Sequence, residues 1–314
     1  MRYGFGIDLG GTTVKLAFLD EEGTMKDKWE IPTRTEDGGK NVLPDIAASV
    51  KEYLAREGYT NDQIIGIGMG VPGPISEAGI VNKCVNLGWE MVDLHGELSV
   101  LTGLHVKGGN DANVAALGEC WKGGGQGATD LIMATLGTGV GGGIIVGGRV
   151  IGGFHGAGGE IGHLCINPEE TEACGCGKRG CVEQYCSATG VVRMAKRYLA
   201  AHDTPSVLRD KAFECKDVFA AACEGDEAAL AILEQVFELM GQFLANISCV
   251  TDPEVIVLGG GVSKAGQILV DGVTKYFHKY AFHACRSTRI TLATLGNDAG
   301  AYGAFKLALD EFGA

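Results

Sequence analysis

Two segments of the chain share one pattern: a strand, a turn of glycine and threonine, and a second strand. The first reads IDLGGTTVKLAF near the N-terminus, and the second reads ATLGTGVGGGIIV near the middle. At such a turn, free backbone N–H groups and threonine hydroxyls point at one spot, which suits phosphate oxygens. Because two such hairpins could hold one polyphosphate from opposite sides, the duplication predicts two α/β halves around a nucleotide.

Glycine is unusually frequent, with 51 residues, and it is concentrated in runs between apolar segments. The simpler interpretation is that these glycines only form turns. The run Gly137–Gly142 formally matches GxGxxG, but the residues after it predict a β-hairpin, whereas a dinucleotide fold requires a helix there. The sequence contains no GxxxxGK[ST]. A third glycine run after the predicted strand EVIVL favours a nucleotide site of another type.

The net charge of −13 argues against sequence-independent binding to nucleic acid, but it does not exclude a nucleotide. The opening residues MRYGFGIDLG predict a strand and no signal peptide. The longest apolar candidate, AALAILEQVFELMGQFLANISCV, carries Glu234 and Glu238, so we expect that no apolar run reaches membrane-spanning length. We therefore expect a cytoplasmic protein whose 11 cysteines are thiols or metal ligands.

Three cysteines lie close together in the stretch CGCGKRGC, at Cys174, Cys176 and Cys181. A cytoplasmic location and the lack of a CxxC disfavour a disulfide or a redox centre. Tetrahedral zinc takes four such ligands, so three cysteines leave one position open. His163 is the expected fourth ligand, and Cys165 is the alternative.

The stretch Gly109-Asn110-Asp111-Ala112-Asn113 lies where an apolar strand gives way to a predicted helix. Taken alone, either Asn110 or Asp111 is expected to be the helix N-cap, for which both residue types are favoured. Beside two phosphate-type hairpins, Asp111 is also the best candidate for a general base, and it could serve as both.

The glycine motifs resemble those of the actin, sugar-kinase and chaperone superfamily. Its two phosphate motifs are resembled by Asp8–Thr13 and Leu136–Gly139, and its adenosine motif is resembled by Leu258–Val262. The resemblance implies a duplicated actin-like ATPase (ribonuclease H-like) α/β fold, with two domains and a cleft between them. It implies an N-terminal domain over 1–115, completed by about 298–314, and a larger C-terminal domain over 116–297 that carries the zinc-binding loop. The residues it implies for ATP and Mg²⁺, with Asp8 next to the hydrated metal, are Asp8, Gly10, Gly11, Thr12, Thr13, Lys15, Gly137, Thr138, Gly139, Gly260 and Gly261.

A second resemblance covers the cysteine stretch and the residues before it. Gly156–His163, the cysteine stretch through Glu183, and Ser187 closely resemble the signature of the ROK family of repressors and sugar kinases. The resemblance implies that His163, Cys174, Cys176 and Cys181 hold a structural zinc. It implies that the sugar is bound by Asn110, Asp111, Glu160, His163 and Glu183. Many relatives carry an acidic residue where Gly109 stands here.

The activity that this resemblance implies is transfer of the γ-phosphoryl group of ATP to the C6 hydroxyl of a hexose, with Asp111 accepting the proton. Glucose is the favoured sugar, and the alternative sugars are N-acetylmannosamine, N-acetylglucosamine, fructose, allose and mannose. Polyphosphate is the alternative to ATP as the phosphate donor. The family also contains sugar-sensing repressors with an N-terminal DNA-binding domain, but because Asp8 comes so early in this sequence we do not expect that domain here. A homodimer is implied, with no nucleic-acid or membrane partner.

Overall fold

The computed structural model describes residues 1–313, and its internal packing divides the chain into two compact units. Unit 1 consists of Met1–Gly127, Gly148–Gly159 and the C-terminal segment that begins at Thr294. Unit 2 consists of Ala128–Gly147 and Glu160–Ala293. Each unit therefore contains one of the two glycine–threonine hairpins.

Strands and helices alternate along much of the chain. The strands are β1 (Tyr3–Leu9), β2 (Thr13–Asp20), β3 (Met25–Pro32), β4 (Ile64–Val71), β5 (Ile80–Val81), β6 (Val92–Asp93), β7 (Val106–Asn110), β8 (Leu131–Leu136), β9 (Val140–Val146), β10 (Arg149–Val150), β11 (Val255–Gly259) and β12 (Arg289–Leu292). The helices are α1 (Glu36–Gly39), α2 (Val42–Glu57), α3 (Leu94–Thr102), α4 (Asp111–Lys122), α5 (Glu183–Cys186), α6 (Ala188–Ala201), α7 (Cys215–Cys223), α8 (Glu227–Thr251), α9 (Gln267–Tyr280) and α10 (Ala299–Phe312).

Unit 1 is built on a sheet with the strand order β3-β2-β1-β4-β7. Strands β1 and β2 form an antiparallel hairpin, β4 runs parallel to β1, and β7 runs parallel to β4. In this register Asp8 lies beside Gly70, and Gly70 lies beside Gly109. The first hairpin turn and the start of α4 at Asp111 therefore leave the sheet at the same edge, where the parallel strands end.

Two glycines in this sheet allow α10 to approach it closely. A Cβ atom on Gly6 would lie 1.9 Å from the carbonyl oxygen of Ala301, and one on Gly68 would lie 1.6 Å from that of Ala304. No side chain fits at such distances, so both positions require glycine. Helix α10 thereby brings Phe305 into the core of unit 1, where it is completely buried.

The strands that belong to unit 2 lie in one sheet in the order β9-β8-β11-β12. Strands β8 and β9 form the second antiparallel hairpin, and β11 runs parallel to β8 with Gly259 beside Thr135. The hairpin tip at Gly137–Gly139 and the glycine run after β11 therefore lie at one edge of this sheet. A hairpin followed by parallel strands occurs in both units, as the duplicated sequence pattern predicts.

Helix α8 is the long core helix of unit 2. By length and composition it could cross a membrane, so the expectation that no apolar run is long enough was wrong for this segment. However, 61% of its most apolar window is buried inside the protein, and Val236, Met240 and Leu244 on one face are fully buried. Such burial is typical of a core helix in a globular unit.

The spacing of the apolar residues over 182–202 predicts one continuous helix, but the helix is interrupted at Ser187, which separates α5 from α6. The backbone of Ser187 is extended, and its side-chain oxygen accepts a hydrogen bond of 2.9 Å from the N–H of Gly190. A serine in this conformation caps the first turn of a new helix, which is why one continuous helix does not form. The interruption leaves Glu183 on a short helix of its own.

Candidate active site and metal cluster

The hairpin turn of unit 1 carries Asp8 and the glycines predicted to bind phosphate. The turn is closed because the N–H of Gly10 donates to the carbonyl oxygen of Thr13 at 3.0 Å. Lys15 Nζ lies 3.6 Å from Asp8 Oδ2; burial raises the pKa of Asp8, and the charge of Lys15 opposes this rise. A carboxylate oxygen of the kind that Mg²⁺ prefers thus stands beside exposed backbone at Gly11 and Thr12.

Asn110 and Asp111 lie at the end of β7 and the start of α4. The side-chain oxygen of Asn110 accepts hydrogen bonds from the N–H groups of Ala112 (3.1 Å) and Asn113 (3.2 Å), so Asn110 is the N-cap of α4. Its side-chain nitrogen donates to the carbonyl oxygen of Gly73 at 3.3 Å. Asp111 Oδ1 accepts from the N–H of Ala112 at 2.8 Å. The cap therefore fixes the backbone that carries the Asp111 carboxylate.

The hairpin tip of unit 2 is held by the N-terminus of α6. The N–H of Ala188 donates to the carbonyl oxygen of Gly137 at 2.8 Å, and the hydroxyl of Thr189 donates to that of Thr138 at 2.7 Å. Within the tip, the N–H of Gly137 donates to the carbonyl oxygen of Gly139 at 2.9 Å. These contacts give the predicted phosphate-binding tip one defined conformation.

Beside this tip, unit 2 contains a cavity of about 1200 Å³. Thr138 and Gly261 line it on the hairpin side, and Phe213, Val192 and Val262 give it an apolar surface. The size and the mixture of apolar and polar groups suit a ligand as large as a nucleotide.

The glycine run after β11 is required where it passes the second hairpin. Gly260 has a φ of +81°, and a Cβ atom there would lie 2.6 Å from the carbonyl oxygen of Leu136. Only glycine combines this backbone conformation with so close an approach. Gly260 thus brings the backbone of the adenosine-type motif directly against the end of β8.

His163, Cys174, Cys176 and Cys181 form a cluster in unit 2, and their ligand atoms all lie within 4.8 Å of one another. The sulfur atoms of Cys176 and Cys181 are 3.7 Å apart, and His163 Nδ1 is 3.9 Å from Cys174 Sγ. Four ligands about 2.3 Å from a tetrahedral ion would be separated by about 3.8 Å. Three sulfur donors and one imidazole at this spacing fit a tetrahedral metal ion such as zinc.

The alternative ligand, Cys165, does not belong to this cluster among the residues that the structure describes. Burial raises the pKa of Cys174 and raises that of Cys181 to about 12, whereas a backbone hydrogen bond from Lys178 lowers that of Cys176. Since a metal ion binds thiolates, it must displace protons from the buried thiols of Cys174 and Cys181.

The two glutamates predicted to contact the sugar lie on either side of the cysteine cluster in the sequence. Glu160 is exposed, immediately before the short 3₁₀ turn Ile161–His163. Glu183 is half-buried: its Oε2 accepts from the N–H of Val140 at 3.0 Å, and its Oε1 accepts from the thiol of Cys174 at 3.6 Å. Glu183 therefore connects the metal cluster to the second phosphate hairpin.

Sequence reasoning missed Glu170, whose side chain is only 2% exposed. Arg197 contacts it with two nitrogens, at 2.9 and 3.0 Å, and Tyr185 donates its hydroxyl at 2.6 Å. Arg193 donates to the same carboxylate. In the sequence, Glu169-Glu170 resembles an ordinary solvated acidic pair, so nothing in the local pattern predicts this buried network.

The free energy of unfolding should fall at acidic pH partly because of Glu170, whose pKa is lowered mainly by the hydrogen bond from Arg197. The unfolded chain protonates this carboxyl first, so its stabilisation is complete above about pH 4.3 and is lost as the pH falls towards the lower folded pKa. The stability difference between wild type and Glu170→Gln should therefore shrink from about pH 6 to about pH 3. Urea titrations of both proteins at each pH measure this stability difference. A difference that does not change with pH would contradict the lowered pKa of Glu170.

The chain matches known proteins over nearly its whole length. The profile of the ROK family matches residues 4–311. The glucokinase of Halalkalibacterium halodurans is 42% identical over 308 residues, which cover 96% of this chain and 93% of that protein. The crystal structure of a ROK hexokinase from Thermus thermophilus matches with a TM-score of 0.83 at 30% identity, covering 99% of both chains.

A further structure is that of a ROK family glucokinase from Streptomyces griseus in complex with glucose and AMPPNP. It matches with a TM-score of 0.73 at 32% identity, covering 98% of this chain and 99% of that one. The protein therefore has the duplicated actin-like ATPase fold that the glycine motifs predict. It belongs to the ROK family.

Proposed function

We propose that this chain is an ATP-dependent hexose kinase that transfers the γ-phosphoryl group of ATP to the C6 hydroxyl of a sugar, with glucose as the favoured substrate. The similarity to a glucokinase at 42% identity and to a ROK glucokinase bound to glucose and AMPPNP supports it. Within the chain, the proposal depends on the register that aligns Asp8, Gly70 and Gly109. This row brings the first phosphate hairpin and Asp111 to one edge of the unit 1 sheet.

Asp111 acts as the general base in this proposal. Its carboxylate orients the attacking hydroxyl and accepts its proton as the bond to phosphorus forms, a contribution of roughly 10²–10⁴ in rate. Asn110 binds a neighbouring sugar hydroxyl while it caps α4, so one side chain both positions substrate and holds the base in place. Phosphoryl transfer depends mainly on such positioning and on charge neutralisation.

The phosphate groups of ATP are held by the two hairpin turns. Backbone N–H groups and the hydroxyls of Thr12 and Thr138 donate to phosphate oxygens as negative charge shifts towards the leaving group. Mg²⁺, held through Asp8, would neutralise the phosphates further when it is bound. The adenosine occupies the cavity of unit 2, next to Gly261.

The metal of the cysteine cluster is proposed to be a structural zinc. Its ligands would be His163 and the three clustered cysteines, and its effect is to fix the loop between Glu160 and Glu183. Both glutamates accept hydrogen bonds from sugar hydroxyls, and His163 connects the metal to the sugar. We further propose a cytoplasmic homodimer with no nucleic-acid or membrane partner.

The proposed function is tested by ATP-dependent phosphorylation over a panel of hexoses and N-acetylhexosamines, with Mg²⁺ present. We expect strong turnover on glucose and much weaker turnover on mannose and on the N-acetyl sugars. If another sugar were preferred, the proposed mechanism would stand and the proposed substrate would change. If turnover occurred only with polyphosphate, the proposed phosphate donor would change. Absence of turnover on every sugar, in protein that retains its zinc, would contradict the kinase proposal.

A further inference from the structure

Glu170 lies in the loop that carries the cysteine cluster, between His163 and Cys174 in the sequence. The loop folds around its carboxylate, because the backbone N–H groups of Thr171 and Glu172 each donate to Glu170 Oε1 at 2.9 Å. The opposite side of the carboxylate meets the two arginines of α6 described above. One buried side chain therefore joins the cysteine loop to α6.

Glu172 extends this contact into a network of four charges. Its carboxylate lies 3.1 Å from Arg193 Nε and 2.9 Å from Arg197 Nη2. The Glu172 side chain is 62% exposed, whereas that of Glu170 is 2% exposed. Since water screens an exposed ion pair much more strongly than a buried one, Glu170 provides most of the attraction that holds the arginines.

Helix α6, which Glu170 holds, also lines the cavity of unit 2. Thr189, Val192 and Arg193 are among its lining residues. The first turn of the same helix holds the second phosphate hairpin, through Ala188 and Thr189, as described above. A displacement of α6 would therefore change the shape of the cavity and the position of the hairpin tip together.

The two glutamates of this network carry as much negative charge as the two arginines carry positive charge. On the side of the cavity, the arginines are therefore already paired with glutamates. The other cations on the lining are lysines, Lys196, Lys216 and Lys264, and all three are exposed. Lys216 lies 2.9 Å from the Glu214 carboxylate, which also lines the cavity. The arginines consequently position α6, and Lys196 and Lys264 are the side chains available to a polyanionic ligand.

We propose that Glu170 is a positioning residue for the nucleotide: by holding Arg193 and Arg197 it fixes α6 against the cysteine loop and thereby sets the affinity for adenine nucleoside triphosphate. The inference rests on the proposed function, because it requires the cavity of unit 2 to be the nucleotide site. It assigns the cysteine loop a second role, in addition to sugar binding. The hydrogen bonds to the Glu170 carboxylate come from Thr171, Glu172, Tyr185, Arg193 and Arg197. The sugar-binding candidates Glu160, His163 and Glu183 are not among these partners, so sugar affinity should not depend on Glu170.

Glu170→Gln tests the inference, because glutamine preserves the volume and can still accept from the two backbone N–H groups. We expect the Kd of a fluorescent ATP analogue, mant-ATP with Mg²⁺, to rise about tenfold or more. The Kd of glucose and the bound zinc should stay at the wild-type level. The neighbouring exposed residue provides the matched control: Glu169→Gln should bind both ligands as wild type does.

Arg197→Lys is the second variant and covers the case in which Glu170→Gln does not fold. It retains the charge but loses the two-nitrogen contact, so it should weaken mant-ATP binding by a smaller factor and leave glucose binding unchanged. If both variants bound mant-ATP with wild-type affinity, the inference about Glu170 would be overturned and the proposed function would stand. An equal loss of nucleotide, glucose and zinc would also overturn it, since that indicates a general structural role. Failure of wild type itself to bind mant-ATP would overturn the proposed function.

Discussion

Replacing Asp111 by asparagine should lower kcat for glucose phosphorylation by about 10²–10⁴ and leave the Kd of glucose and of ATP near the wild-type values. An amide cannot accept the proton of the attacking hydroxyl at neutral pH. The substitution preserves shape, and the asparagine oxygen can still accept from the N–H of Ala112, which lies 2.8 Å away in the wild type. Because Asn110 is the N-cap of α4, the helix start should survive. Pre-steady-state phosphorylation and equilibrium sugar binding separate the two effects.

The control for this variant must reproduce the loss of a negative charge near a helix N-terminus, which alone costs about 0.3–1 kcal/mol of stability. Glu97 in the first turn of α3 is exposed, belongs to the same unit and lies outside the proposed site. Glu97→Gln should therefore lower the Tm slightly and retain full turnover. Near-wild-type kcat in Asp111→Asn would show that another group accepts the proton.

Replacing Cys181 by serine should abolish metal binding and with it most of the kinase activity. Cys181 is completely buried in the cluster, and a serine hydroxyl is a poor zinc ligand. Because metal affinity contributes directly to the folding free energy of such loops, the Tm should fall by several degrees or more. Zinc measured by mass spectrometry should drop from about one ion per chain to nearly none.

Cys165→Ser is the matched control, because Cys165 is exposed and lies outside the cluster. This variant should have the zinc content, the Tm and the turnover of the wild type. If Cys165→Ser lost the metal instead, or if His163→Ala retained it at full affinity, then the fourth ligand would be Cys165 and the geometry of the cluster would be misassigned. Unchanged zinc content in Cys181→Ser would contradict the metal site as a whole.

The features predicted correctly from the sequence are those that depend on local chemistry. Both hairpins are visible because their turns need glycine and threonine and their strands are apolar. The glycine after the helical apolar pattern of residues 42–57 predicts the end of α2, and Gly58 has the left-handed conformation, with a φ of 78°, that typically ends a helix. The cysteine cluster was predictable because its three cysteines lie within eight consecutive residues, and His163, the expected fourth ligand, lies in the same cluster.

The features that were missed depend on contacts between distant residues or on competition between two local preferences. The break at Ser187 occurs because a serine can cap a new helix as readily as it can lie within a longer one. Glu170 resembles a surface acid in the sequence, and only its contacts with Arg193 and Arg197, 23 and 27 residues away, show that it is buried. Such a pairing has no periodicity from which it could be inferred.

The measurement that tests the central claim most directly is the glucose arm of the sugar panel, with the zinc content determined on the same sample and the product identified by NMR. The proposal predicts ATP-dependent, Mg²⁺-dependent formation of a phosphate ester at the C6 oxygen, with one ADP released for each ester formed. No ester from zinc-containing protein that binds both glucose and mant-ATP would contradict the claim that Asp111 and the two hairpins catalyse phosphoryl transfer.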